Sequence, residues 1–372
     1  MVSSGTRVPF VDLSVQWQQI RATALPDLER LFEMSAFSSG PWVERFEQQI
    51  AEYLGVRHAI AVNSGSSALH LAVIAAGIGR GDAVLVPAHT FIGTIWGLLY
   101  EGAIPVLCDV EERTGTIDLA DAERRLRPGV KAIMPVHLYG QPADMAACLA
   151  FAHRHGLTLI EDVAQAIGAR YGESRLGSLG SFGCFSFYPG KNLGAAGEGG
   201  LVTCDDAAMA ARLKSLRNHA QVDRYVHGEI GYNYRMDGIQ GLMLGHKLGL
   251  LDAWTDERRA IARRYETAFA DLPLQLPKVV HGDHVYHLYV VLTPAREEMR
   301  RFLGERGIDT GLHYPVPLHR QPCLAHLGLD PTGYEVADRY ADQGLSLPMF
   351  SGMTGEQQDR VIDAVGAFFR QS

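Results

Sequence analysis

Between residues 58 and 204 short apolar runs recur with helical patterns between them, and this alternation restricts the fold more than any other feature of the chain. The runs cover 58–62, 83–87, 104–110, 131–136, 157–160, 182–187 and 200–204. Strands this apolar are buried on both faces, and strand–helix alternation builds a parallel sheet covered by helices. The expected class is therefore α/β. Open sheets of this kind bind ligands beyond the carboxyl ends of their strands, so the residues following each run are the first candidates for a site.

The most informative end is 181–200, SFGCFSFYPGKNLGAAGEGG, where Pro189-Gly190 stops the strand just before Lys191. An amine at a rigid strand-to-loop junction can attack a carbonyl once it is partly desolvated and deprotonated, a setting that suits a Schiff base. The competing reading is an ordinary surface lysine. Asn63-Ser64-Gly65-Ser66-Ser67 joins the first strand to a helix carrying Leu69, Ala72, Val73 and Ala76 on one face. Free amides among such small residues seat a phosphate dianion, although capping explains the serines equally well. Phe91 follows the strand at 83–87 and either stacks on a flat ring or packs in the core. Asp162 closes the run at 157–160, where a buried carboxylate is costly unless it meets a cation.

Four segments, FSFYPGKNLGAAGEGG, EDVAQA at 161–166, GYNYRMDGIQ at 231–240 and HYPVPLH at 313–319, resemble the DegT/StrS-type sugar aminotransferases, which are pyridoxal-phosphate enzymes. The resemblance runs from about residue 9 to about residue 369. It implies a fold-type I transferase with three parts: an arm at 1–35 packing with the small domain, a large cofactor-binding domain at 36–250, and a small α+β domain at 251–372. In that register Lys191 holds the cofactor and moves the proton, while Asp162 keeps the pyridine nitrogen protonated so that the ring withdraws electrons. Gly65, Ser66, Ser67, Phe91 and Ser186 are implied as further cofactor contacts. Gln165 reaches the ring oxygen or caps a following helix. Asn233 is implied to reach the cofactor phosphate of a neighbouring subunit, with Arg235 contributing across the same interface; a solvated loop is the alternative. Tyr188, Arg235, His313, Tyr314 and His319 are implied near the substrate, and the Gly40-Pro41 turn either joins them or simply starts a helix.

The resemblance further implies a nucleotide-linked keto-deoxysugar as substrate, dTDP-linked and 3-keto, aminated by a homodimer with L-glutamate as donor. Several family members carry histidine where Tyr188 stands, and FYPGKNLGA looks more like members acting on the third sugar carbon than the fourth. A keto-cyclitol (inosose) is the nearest alternative acceptor. A sugar dehydratase would carry histidine in place of Lys191, and a regulatory homologue would tolerate loss of Lys191, Asp162 or the Gly65-Ser66 turn.

The remaining features narrow partners and compartment. A net charge of −8 over 372 residues argues against a nucleic-acid groove. Five cysteines without a CxxC pair suggest reduced thiols and a cytoplasmic setting. No apolar run approaches the ~18 residues of a membrane span, and MVSSGTRVPFVDL lacks a signal peptide's apolar core. His313 and His319 stand six apart without an acidic neighbour, so no metal is expected. Helical spacing is read at 10–34, with Ile20, Leu25, Leu28, Leu31 and Phe32 as a buried stripe, at 41–54 and at 250–272. A small-domain strand is expected at 285–293, and Thr354 to Gln357 form a capping box before a last helix.

Overall fold

The computed structural model describes residues 7–371. Its seven-stranded sheet contains β1 (His58–Val62), β2 (Ala83–Pro87), β3 (Ile104–Cys108), β4 (Val130–Ile133), β5 (Thr158–Asp162), β6 (Phe182–Ser186) and β7 (Gly200–Cys204). The spatial order is β1-β7-β6-β5-β4-β2-β3. Pairings among β6, β5, β4, β2 and β3 are parallel, and β7 alone runs against its neighbours, pairing antiparallel with both β1 and β6. The mainly parallel α/β fold expected from the alternation is the one observed. Helices cover both faces, so side chains alternate between two apolar clusters: Ile60 and Val62 point into one, Ala59 and Ala61 into the other.

Several strands are shorter than their apolar runs. Val110 leaves the sheet for an isolated bridge with Ile117, and Val136 makes only a bridge to Asp162. The strand read at 285–293 shrinks to β8 (Tyr289–Leu292), because Tyr286 takes a left-handed backbone, φ 46°. β8 pairs antiparallel with β9 (Gly344–Leu347), and the helices Arg296–Glu305 and Gly355–Gln371 pack on that pair to form the small domain. The last helix starts with a reciprocal cap: Gln357 N–H donates to Thr354 Oγ1 at 3.2 Å and Thr354 N–H to Gln357 Oε1 at 2.9 Å.

The N-terminal arm divides. Val8 bridges Ile308, and Arg7 pairs with Asp309 of the small domain. The helix Ser14–Glu33 instead lies on the helix Gly238–Leu248, burying Ile20, Ala24 and Leu31 with Leu242 and Met243. Ile20 and Leu31 are buried as expected and Leu28 is half-buried, but Leu25 and Phe32 are exposed, and Ala24 is buried where Leu25 was expected. The helix Leu251–Phe269 then leads from the sheet domain into the small one, and a cavity opens between the two at the carboxyl ends of the strands.

Candidate active site

The cavity measures about 640 Å³. Lys191 lines it from the turn after β6, where its backbone N–H donates to Tyr188 O at 2.8 Å. Burial lowers the Lys191 pKa to about 8, with Asp162 pulling weakly the other way. This lysine is not the ordinary surface residue that composition alone would allow.

Asp162 ends β5 at 3% exposure and faces the same cavity. Its carboxylate accepts from Thr94 Oγ1 at 2.9 Å and from Ala164 N–H at 3.1 Å. Burial still pushes its pKa up, because these bonds and Lys191 only partly offset desolvation. The neighbouring Glu161 turns away to accept the N–H groups of Gly177, Leu179 and Gly180, and so fastens the chain entering β6.

Phe91, 51% exposed, stands at the cavity with its ring 5.4 Å from Tyr314 and tilted by 41°, so the core-packing alternative fails. Gln165 caps nothing, since turns rather than a helix follow Asp162. Its Oε1 accepts from Tyr139 N–H at 2.6 Å and its Nε2 donates to Tyr314 Oη at 2.8 Å, setting the tyrosine that faces Phe91. At the start of helix Gly65–Ala75, Ser64 caps Ser67 N–H at 3.1 Å, and Ser67 Oγ donates to Asn63 Oδ1 at 2.7 Å. Capping therefore accounts for Ser64 and Ser67, and Ser67 is not among the cavity residues. Gly65 and Ser66 do line the cavity, and their amides, first in the helix, have no intrahelical acceptor. Ser186 and Tyr188 complete that wall.

His313 and Tyr314 also line the cavity; the His313 ring stacks on Phe10 at 5.6 Å, and its Nδ1 lies 2.8 Å from Ser346 Oγ. Burial lowers the His313 pKa to about 4. His319 is not brought there. It packs under Tyr334 with its Nε2 2.9 Å from Asp338 Oδ1, because the short helix Leu318–Arg320 turns it toward the helix Glu335–Gln343. Among the described residues no group of three or more side chains is arranged to hold a metal. Asn233 is exposed and Arg235 binds Asn218 Oδ1 at 2.8 Å; neither lines the cavity of its own chain.

Thr94, His287 and Arg258 are among the cavity residues that escape a reading of the sequence. Thr94 lies 68 positions before the aspartate it binds, so no local pattern connects them. His287 and Arg258 come from the small domain and the helix leading to it, in stretches whose spacing spoke only of strand and helix. The run HVYHLYV held the one available signal for His287, a histidine interrupting an apolar strand pattern.

Known proteins resemble the chain along nearly its whole length. The chain is 43% identical over 361 residues to the dTDP-3-amino-3,4,6-trideoxy-alpha-D-glucose transaminase of Streptomyces venezuelae, covering 96% of this chain and 95% of the relative. It is 42% identical to a pleiotropic regulatory protein of Geobacillus stearothermophilus, over 98% of this chain and 99% of that one. The crystal structure of S. venezuelae DesV in complex with a ketimine intermediate superposes with a TM-score of 0.96 at 42% identity, over 99% of this chain and 100% of DesV. The profile of the DegT/DnrJ/EryC1/StrS aminotransferase family matches residues 18–366, and the chain belongs to that family of pyridoxal-phosphate-dependent sugar aminotransferases.

Proposed function

We propose that the protein transfers an amino group from L-glutamate to a nucleotide-linked keto-deoxysugar, dTDP-linked and 3-keto, as a homodimer. The observation that carries this reading is a half-buried lysine with a lowered pKa sharing one large cavity with a buried aspartate that forms no ion pair among the described residues. Pyridoxal phosphate fits these residues. Asp162 would hold its ring nitrogen, Phe91 its ring face, and Gly65, Ser66 and Ser186 its phosphate. When bound it supplies an aldehyde that takes up the amino group and a ring that withdraws electrons.

The chain's own groups do the rest. Lys191 Nζ has a pKa low enough to give up and regain a proton near neutral pH, which suits a group that carries the proton between donor carbon and cofactor carbon. Asp162, braced by Thr94 and Ala164, keeps negative charge where a ring cation must sit. Tyr314, fixed by Gln165, and His313, neutral through burial, wall the cavity without adding charge. The name of the Streptomyces transaminase supports a dTDP-linked acceptor, and the ketimine named with DesV supports transamination.

A regulatory reading draws on names alone, such as that of the Geobacillus relative. Against it, a protein that only signals has no need of a buried free amine facing Asp162. The deciding experiment presents glutamate-loaded enzyme with dTDP-linked 3-keto and 4-keto sugars and with inososes. Amination of the 3-keto sugar is expected, preferential turnover of an inosose moves the acceptor class, and failure on all of them removes the reading.

A further inference from the structure

Arg258 is a buried cation that forms no ion pair among the described residues. It sits on the helix Leu251–Phe269 at 3% exposure and lines the cavity. Nη1 donates to the carbonyl oxygens of Tyr286 at 3.1 Å, His287 at 3.3 Å and Met349 at 3.1 Å, which fixes the guanidinium plane against loops of the small domain. Nε is buried without a partner, and no carboxylate among the described residues forms an ion pair with the side chain. Burial brings its pKa down to about 10, with Glu257 opposing, so it remains charged at neutral pH. Bracing these loops accounts for Nη1. It does not account for an uncompensated charge at the wall of a ligand cavity, since an unpaired buried guanidinium is costly and an anion relieves it.

The rest of the cavity restricts which anion. Its charged residues are Lys191, Asp162, Glu198 and Arg258, so Arg258 is the cation that remains once Lys191 is engaged in chemistry. His287 stands by both: it lines the cavity, its Nδ1 lies 3.3 Å from Asn192 Oδ1 next to Lys191, and its own carbonyl binds Arg258. Burial, then Lys191, then Arg258 hold His287 well below its ordinary pKa, so it stays neutral beside them. Any α-amino acid that donates its amine here must bring its α-carbon to Lys191, and the carboxylate is bonded to that same carbon. We propose that Arg258 is the seat for the α-carboxylate of the amino-acid donor and of the α-keto acid it becomes, an inference that rests on the aminotransferase reading above. Arginine suits the task because its planar fork binds carboxylates through two parallel hydrogen bonds.

The two half-reactions separate this role from a merely structural one. With holoenzyme and no sugar, the visible spectrum is followed as L-glutamate is added; with enzyme loaded with pyridoxamine phosphate, amination of the sugar is measured alone. In Arg258→Gln the half-saturating glutamate concentration is expected to rise about 10- to 100-fold, as for loss of a charge-assisted pair, while the sugar half-reaction stays within about twofold. Arg258→Lys recovers part of the glutamate response. Wild-type enzyme is expected to discriminate sharply between glutamate and isoglutamine, its α-carboxamide, and Arg258→Gln to discriminate little. Equal losses in both half-reactions, or a larger loss with the sugar, overturn the seat; the second result would assign Arg258 to the nucleotide's phosphates. Should Arg258→Gln fail to fold, equal response of the wild type to glutamate and isoglutamine overturns it as well. A wild type whose spectrum answers to no amino acid sinks the aminotransferase reading instead, so the two failures are distinct.

Discussion

An amine at position 191 reacts only in the fraction that has lost its proton, and burial sets that fraction. With a pKa near 8 in place of 10.5, the Lys191 ammonium predominates at pH 6 and the free amine above pH 8. Capture of pyridoxal phosphate by the cofactor-free protein should therefore speed up about tenfold per pH unit below 8 and level off above it. Stopped-flow absorbance across pH 6–10 checks this, and a rate still climbing at pH 10 would put the amine back among exposed lysines. Thr94 offers a second test, because Thr94→Val keeps the shape and removes the hydroxyl that donates to Asp162. Losing one such bond is worth about 1–1.5 kcal/mol, so turnover should fall about tenfold with folding intact. Unchanged kcat would mean that Ala164 N–H suffices. Lys191 and Asp162 were legible in the sequence because strand ends and glycine turns mark their surroundings locally. Thr94, His287 and Arg258 were not, since what matters about each is a contact made across the fold.

At the scale of elements, the site depends on how closely helix Gly65–Ala75 approaches β6 and β7. A Cβ on Gly65 would lie 2.7 Å from Ser186 Cβ and 3.2 Å from its Cα, and one on Gly200 would lie 2.2 Å from Ser64 O. Only hydrogens fit there. Gly65→Ala is expected to push the helix start off Ser186, costing about 1–3 kcal/mol of stability and loosening cofactor retention. Thermal melting and equilibrium dialysis with pyridoxal phosphate read the two effects. A variant with wild-type melting and retention would show that the helix can move freely and that its first amides are not a fixed seat. The sequence shows the strand–turn–helix and its small residues, but it does not show which residue caps. Ser64 and Ser67 turn their hydroxyls toward each other, and of the four residues 64–67 only Ser67 leaves the cavity wall, a choice made by backbone direction. The arm helix teaches the same lesson. Its spacing fits more than one stripe, and the position of Leu242 and Met243 selects Ile20, Ala24 and Leu31.

The whole molecule leaves a surface that one chain does not explain. Asn233 and Arg235 lie outside their own chain's cavity, and a hairpin of Gln221–Asp223 with Val226–His227 before them exposes Val222, Tyr225 and Val226, with Ile230 exposed just beyond it. Apolar side chains gathered at a protruding hairpin suit a second protein surface, and the resemblance implies that this surface is a second copy reaching into the first copy's cofactor site. In a closed two-fold dimer each site would then combine Lys191 of one chain with Asn233 and Arg235 of the other. Lys191→Ala chains and Arg235→Ala chains should each be inactive alone. When they exchange subunits, one site of a mixed dimer collects both lesions and the other is intact. Random pairing makes about half of the dimers mixed, so activity should return to about a quarter of wild type. Native mass spectrometry verifies exchange independently of activity. If mixed dimers form and remain inactive, Arg235 acts on the same chain's cavity or on the fold itself, and the exposed hairpin serves some other contact.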